Sequence, residues 1–432
     1  MAEMSEHFKS RQPSAIRLAQ IEFSKRKDDA IAVNTAIGNV SLPMHPALQK
    51  RMFELNDSNC PFNKGVVKYT ATVGMDETNK AFLNIIASSG YPVGGLFSQI
   101  TDGGSAAMEL ILLGVCGNAG TNDSPLLLID AAYTNYVAMA ERVGRKTISV
   151  QRNLEDHGKF TLPDFEDINK TIDEHGPKAI VIIPYDNPTG HFYTHEDMVK
   201  LAKLCVEKDL WMISDEAYRE LFYTDHKISS IWGITEEEVP GITGRRISIE
   251  TASKVWNACG LRIGALVTDN KDFHEKSVAE YTANLCSPVI AQYIFGALAH
   301  VSHEDLQEWY KKQREYYSTL MTKLTNELKE KLPGVIVSSP DASIYSVIDV
   351  RNIAKPNFDA KKFVLYCAQE GKTEINGKEI TLLVSPMAGF YCATENNPGH
   401  TQMRVAYVAT PEEMALVPEL FKKLFNQYEE GR

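Results

Sequence analysis

Residues 250–264 read ETASKVWNACGLRIG. Lys254 in this stretch follows a short apolar run around Ile247 and Ile249, which predicts that it lies just past a buried strand. Beyond it, a Gly-Leu-Arg turn leads into a second apolar run. A desolvated lysine close to other positive charge favours its neutral amine, which can attack carbonyls and form a Schiff base. The other reading is a solvated lysine beside a strand end. Only the rest of the chain can decide between them.

Outward from that stretch, apolar strand-like runs alternate with segments of helical period. The runs are Ser98 to Thr101, Leu126 to Asp130, Thr147 to Gln151, Ala179 to Pro184, Leu210 to Asp215, Arg246 to Glu250 and Ile263 to Val267. Between them lie amphipathic segments such as His195 to Glu207, with Met198, Leu201, Leu204 and Cys205 on one face. This alternation predicts an α/β fold with a mostly parallel sheet flanked by helices. Upstream, a helix over residues 14–28 precedes an extended segment at Ile31 to Val33. After about Val301 a long charged helix is expected to about Lys331, then strands near Val335 to Ser338 and Ile344 to Val350, and a final helix from Pro411 to Tyr428. The expected organisation is a large domain over 61–300 and a smaller α+β domain over 301–432, joined by an N-terminal segment, 1–60.

Composition narrows the function. The 432 residues exceed the size at which one core usually stops growing. A net charge of −11 argues against nucleic acid or an anionic membrane as partner and favours small molecules. Seven cysteines form no CxxC pair and no cluster with histidine, so neither a metal site nor a disulfide framework is expected, and a cytoplasmic setting is. No apolar run is long enough to span a membrane, and the polar start carries no signal-peptide core.

Several strand ends carry candidate chemistry. Thr101-Asp102-Gly103-Gly104-Ser105 opens a helix, and a glycine turn there either binds phosphate through free amides and the helix dipole or is an ordinary tight turn. It is neither GxGxxG nor a Walker A loop, which removes the usual support for nicotinamide or nucleoside triphosphate. Tyr133, after the strand ending at Asp130, stacks on a flat ring or belongs to the core. Pro184-Tyr185-Asp186-Asn187-Pro188-Thr189-Gly190 forces a turn that leaves the Asn187 amide at the sheet edge. Asp215 either pairs with a protonated ring nitrogen or caps a helix, and Tyr218 is placed to donate to a ring oxygen. Gly38, in Ile37-Gly38-Asn39, is a plain loop or a close backbone approach to a ligand. Together these describe a site for pyridoxal phosphate.

At this point nearly the whole chain resembles the fold type I pyridoxal-phosphate enzymes, specifically the class I/II aminotransferases of aspartate and aromatic type. TASKVWNACGLRIG resembles that family's Schiff-base lysine signature. The resemblance implies that Lys254 is the imine lysine and that Arg262, Thr251, Ser105 and the Gly104 backbone hold the phosphate. It also implies that Tyr133 stacks on the ring, Asn187 and Tyr218 bind its 3′-oxygen, and Asp215 pairs with its nitrogen. Lys254, Asp215 and Tyr218 are then the catalytic set. Tyr69, in Lys68-Tyr69-Thr70, resembles the tyrosine that reaches the neighbouring subunit's phosphate, which implies a homodimer. Gln402-Met403-Arg404-Val405-Ala406 resembles the strand whose arginine clamps the substrate α-carboxylate, with Gly38 and Asn187 beside it.

Three differences stand out. One extra residue separates Pro184 from Asn187, Met387-Ala388 precedes Gly389 where the family commonly has Pro-Gly, and Ser105 replaces the lysine of one aspartate-preferring branch. No basic residue for a second substrate carboxylate is identifiable. The expected reaction is amino transfer from an α-amino acid to a 2-oxo acid, with 2-oxoglutarate as acceptor. A β-eliminating C–S lyase is the alternative within the cofactor class, and a catalytically inactive binding or regulatory protein is the alternative outside it.

Overall fold

The structure, a computed structural model, describes residues 2–338 and 340–431; Met1 and Arg432, the outer limits of the expected domains, lie outside the described residues. A strand near the N-terminus, β1 (Ile31–Asn34), precedes β2 (Phe97–Thr101), β3 (Leu126–Asp130), β4 (Thr147–Gln151), β5 (Ala179–Ile182), β6 (Trp211–Asp215), β7 (Arg246–Thr251) and β8 (Gly264–Thr268). The last seven form one sheet in the order β2-β8-β7-β6-β5-β3-β4. Their bounds fall within one residue of expectation except at β5, which stops at Ile182 because Pro184 has no N–H to give to a ladder. Every residue of β3, β5 and β8 is buried, so both sheet faces are covered, and this is why these strands read as nearly unbroken apolar runs.

Strand direction positions the site. β3, β4, β5, β6 and β7 run parallel, whereas β8 is antiparallel to both of its neighbours, β2 and β7. The carboxyl ends of β2, β3, β5, β6 and β7 therefore open on one edge, where open α/β sheets bind ligands. β8 begins at that same edge, with Gly264 paired to Thr101 on one side and Thr251 on the other.

The rest of the chain builds two smaller sheets from β9 (Ile336–Val337), β10 (Tyr345–Asp349), β11 (Thr373–Ile375), β12 (Lys378–Leu383), β13 (Ser385–Pro386) and β14 (Gln402–Ala406). One has the order β13-β14-β10-β9 and the other β1-β12-β11, with β1 parallel to β12. The long helix, His303–Lys331, buries Leu306, Tyr310, Tyr317, Met321, Leu324 and Leu328, a spacing of three and four that keeps one face inward. Two expected helices differ. The first covers Ala15–Phe23 and stops where Ser24 turns its hydroxyl back onto the Ile21 carbonyl. The last is divided into Pro411–Met414 and Val417–Glu430, because Pro418 cannot donate to the carbonyl four residues earlier.

Gly264 is where these constraints meet. A Cβ there would come 2.6 Å from the Gly103 carbonyl carbon, 2.7 Å from Gly104 N and 2.9 Å from Glu250 O. Gly264→Ala should therefore overpack the β2–β8–β7 junction and cost about 1–3 kcal/mol. A lowered urea unfolding midpoint is expected, and an unchanged midpoint would show that the junction yields freely.

Candidate active site

A cavity of about 890 Å³ opens at the strand-end edge. At one end, Gly103 caps the helix Gly104–Val115 with φ 77° and no side-chain cap, so the first amides and the positive end of the dipole remain available to an anion. Arg262 donates to the Cys259 carbonyl at 2.9 Å and to that of Asp102 at 3.4 Å. A Cβ on Gly103 would collide with its Nη2, so glycine is what lets the guanidinium lie across the helix start. Thr251 shares a 2.8 Å hydrogen bond with Ser253, and both line the cavity together with Gly104 and Ser105.

Lys254 stands three residues past β7, its Nζ donating to the Gly38 carbonyl at 2.5 Å. Gly38 thus approaches the Lys254 amine closely, and its carbonyl is the group in contact. A Cβ there would collide with the Tyr345 hydroxyl and stand 3.1 Å from Lys254 Nζ.

Asp215, at the end of β6, accepts the Tyr136 hydroxyl at 2.7 Å on one oxygen and the Ala217 N–H at 3.1 Å on the other. The second bond is a local turn contact, and no helix follows Asp215, so the carboxylate caps a turn and not a helix. Burial pushes the carboxyl up to about 6 against the lowering effect of those two donors. Among the described residues Asp215 has no ion pair, and a cation against it would relieve the cost of its charge. Tyr133 lines the cavity and also packs on the core, and burial pushes its phenol up to about 12.

Arg404, 1% exposed in β14, donates Nη1–H to Asn187 Oδ1 at 2.9 Å and Nη2–H to the Ala36 carbonyl at 2.8 Å. Its Nε has no partner among the described residues. A buried guanidinium held by neutral acceptors alone is a receptor for an anion. Asn187 also donates to the Tyr218 hydroxyl at 3.2 Å. The extra residue before Asn187 has a structural reason: Asp186 turns inward and takes Arg152 Nη2–H at 2.7 Å and the Thr189 hydroxyl, which leaves Asn187 on the cavity wall.

The cavity thus joins an anion-ready helix start, a primary amine, a carboxylate that gains from a cation, and an aromatic ring. This donor set fits pyridoxal phosphate, which has a phosphate, an aldehyde, a basic ring nitrogen and a flat ring. Of the expected residues, Tyr69 alone stands outside the cavity lining, at 78% exposure. Sequence reasoning missed Tyr136, Ser253, Tyr345 and Arg17. Ser253 lies within the stretch 250–264 and Tyr136 three residues past Tyr133, so both were legible in the sequence. Tyr345 and Arg17 carry no local signal: Arg17 reaches the cavity wall through the helix Ala15–Phe23, is exposed, and has no ion pair among the described residues.

A profile of the family described as aminotransferase class I and II matches residues 68–416. An aspartate aminotransferase of Musicola paradisiaca is 23% identical over 343 residues, covering 76% of this chain and 79% of that protein. One from Sulfurisphaera tokodaii is 26% identical over 360 residues, covering 82% and 83%. Among solved structures, a single mutant of Thermus thermophilus aspartate aminotransferase matches with a TM-score of 0.79 at 20% identity, covering 98% of this chain and all of that one, a likeness of fold.

Asp215 makes a pH-dependent prediction. Because its folded-state value, about 6, lies above the ordinary 3.8, its contribution is most favourable below pH 3.8 and is lost as pH rises through 6. The resulting cost at neutral pH is at most about 3 kcal/mol, less whatever cavity water returns. In the cofactor-free chain, Asp215→Asn should raise the thermal midpoint at pH 8, with the gap closing between pH 6 and 4. A gap that does not change with pH would assign the effect elsewhere.

Proposed function

The chain belongs to the class I and II aminotransferase family and is a pyridoxal-phosphate-dependent aminotransferase; from that premise we propose that it moves the amino group of an aspartate-like or aromatic amino acid to 2-oxoglutarate, with Lys254, Asp215 and Tyr218 as its catalytic residues. The observation that carries this reading is the buried Arg404, its Nε unpartnered among the described residues, in the same cavity as the Lys254 amine. One group binds a carboxylate and the other works on the carbon beside it.

When bound, pyridoxal phosphate supplies a cationic ring that takes up the electron pair left at the substrate's Cα. Asp215 holds that ring's nitrogen protonated, and Asn187 and Tyr218 donate to its ring oxygen. Tyr133 covers one ring face. Gly104, Ser105, Thr251 and Arg262 bind the phosphate, each from the strand-end edge. Arg404 grips the α-carboxylate, with Gly38 and Asn187 beside it, and so fixes which bond at Cα faces the ring. Lys254 Nζ, 2.5 Å from the Gly38 carbonyl, would take the Cα proton and deliver it to the cofactor's former aldehyde carbon, and in the reverse half-reaction would carry a proton from that carbon back to Cα.

Arg17, on the cavity wall, is the residue we assign to a second substrate carboxylate. The proposed division is a cofactor-binding domain over 61–300 and a smaller domain over 301–432 joined by 1–60; the pairing of β1 with β12 supports it. A homodimer is supported by exposed apolar side chains at Phe53, Val66, Val67 and Tyr69; in that dimer Tyr69 is the residue that would serve the partner's phosphate site. A cytoplasmic location agrees with the unpaired cysteines; among the described residues no helix is long and apolar enough to cross a membrane.

Lys254→Ala should abolish turnover and the visible absorption band of the bound cofactor, and full activity in that variant would end the assignment. In a scan of amino acids, Arg17→Ala should raise KM for aspartate or glutamate roughly 10- to 150-fold over the wild type, as expected for a charged hydrogen bond, with phenylalanine unaffected. Equal changes for both substrates would remove Arg17 from the substrate site. Sedimentation should give a dimer, and a fully active monomer would exclude the role given to Tyr69.

A further inference from the structure

Tyr345 opens β10 and belongs to no motif read from the sequence, yet it touches both ends of the substrate side of the cavity. Its hydroxyl lies 2.9 Å from that of Tyr218. Tyr218 takes the Asn187 amide at 3.2 Å, and Asn187 takes Arg404 Nη1–H at 2.9 Å. The guanidinium carbon of Arg404 stands 4.3 Å from the centroid of the Tyr345 ring, which closes the loop. All four side chains are buried, with Tyr345 at 2% exposure.

Packing alone accounts for the ring but not for its hydroxyl. A phenylalanine would fill the same space and keep the same face under Arg404. A buried hydroxyl costs free energy unless it is bonded, and among the described residues its one hydrogen-bond partner is Tyr218. Space is also reserved for it: Gly38 lacks the Cβ that would collide with Tyr345 Oη, and that same Cβ would stand 3.1 Å from Lys254 Nζ. The hydroxyl and the amine therefore border one small volume.

We propose that Tyr345 is a positioning residue with two separable actions: its ring face orients the Arg404 carboxylate clamp, and its hydroxyl holds the Tyr218 hydroxyl that serves the cofactor's ring oxygen. The proposal rests on the aminotransferase reading of the cavity. It requires that the two actions come apart when the hydroxyl alone is removed.

The test uses holoenzyme of the wild type, Tyr345→Phe, Tyr345→Leu and Lys254→Ala. Tyr345→Phe should lower kcat roughly 3- to 10-fold, the worth of one hydrogen bond, with KM for the amino acid unchanged. It should also shift the pH midpoint of the bound cofactor's absorption. Calorimetric affinity for a non-reacting carboxylate, succinate or 3-phenylpropionate according to which binds the wild type, should stay at the wild-type value. Tyr345→Leu should weaken that affinity roughly 3- to 30-fold, the worth of a cation–π contact. Wild-type kcat and absorption midpoint in Tyr345→Phe would overturn the proposal, as would equal loss of carboxylate affinity in both variants. If Tyr345→Leu does not fold, the phenylalanine variant alone decides. An active Lys254→Ala would instead overturn the underlying functional reading, so the two failures are distinguishable.

Discussion

The reversed strand β8 is the constraint on which the site depends. It enters the sheet between β2 and β7 against the direction of both, so its first residue meets the last residues of its neighbours. That geometry brings the anion-ready turn after β2, the Lys254 segment after β7 and the Arg262 segment before β8 to one place. A fully parallel sheet would have carried the chain back to the far edge before starting its next strand, and Arg262 would have lain a strand length from Gly103. The junction is tight enough that position 264 has no room for a side chain.

Buried charge fixes the strand ends next to the cavity. Asp215 and Glu216 are consecutive, and so are Glu250 and Thr251, and alternation along an extended chain turns neighbours to opposite sides. While Asp215 and Thr251 line the cavity, Glu216 and Glu250 point inward toward one arginine, with Arg219 Nη2 at 2.6 Å from Glu250 and 3.5 Å from Glu216. Burial pushes Glu250 up to about 7 against the pull of Arg219. Desolvation offsets much of the attraction in such a cluster, so its consequence is location more than stability. The ends of β6 and β7, which carry Asp215 and Thr251, are tied by a shared cation. Arg152 and Asp186 do the same for the turn that presents Asn187.

Two walls face each other across the cavity. One is the edge of the seven-stranded sheet, and the other comes from β10, β14 and the segment after β1. Hydrogen bonds cross between them at Lys254 to Gly38 and at Arg404 to Asn187, while Arg404 to Ala36 holds the second wall together. Burying Arg404 among neutral oxygens leaves its charge undercompensated, and a substrate carboxylate is the natural complement. A single guanidinium therefore ties the two walls together while keeping its Nε without a partner among the described residues.

Local pattern was sufficient for much of this. Apolar runs located all seven strands of the large sheet, the 3.6-residue period located the helix over residues 195–207, and the residues at the strand ends pointed to Lys254, Asp215, Asn187 and Gly104 as one candidate set, to which the family resemblance added Arg262. These features are legible because each depends on a few contiguous residues: a strand declares its burial, a glycine its turn, a lysine its chemistry. Period could not show that β8 runs backwards, since strand direction leaves no trace in alternation. It could not show that Asp186 turns inward to Arg152, that the Tyr136 hydroxyl joins the Ala217 N–H in supporting Asp215, or that Arg17 and Tyr345 reach the cavity from segments far away in the chain. Those are contacts between elements, set by pairing register and packing across the fold. The sequence by itself determined which chemistry is present; the tertiary structure alone decided which residues hold it in place.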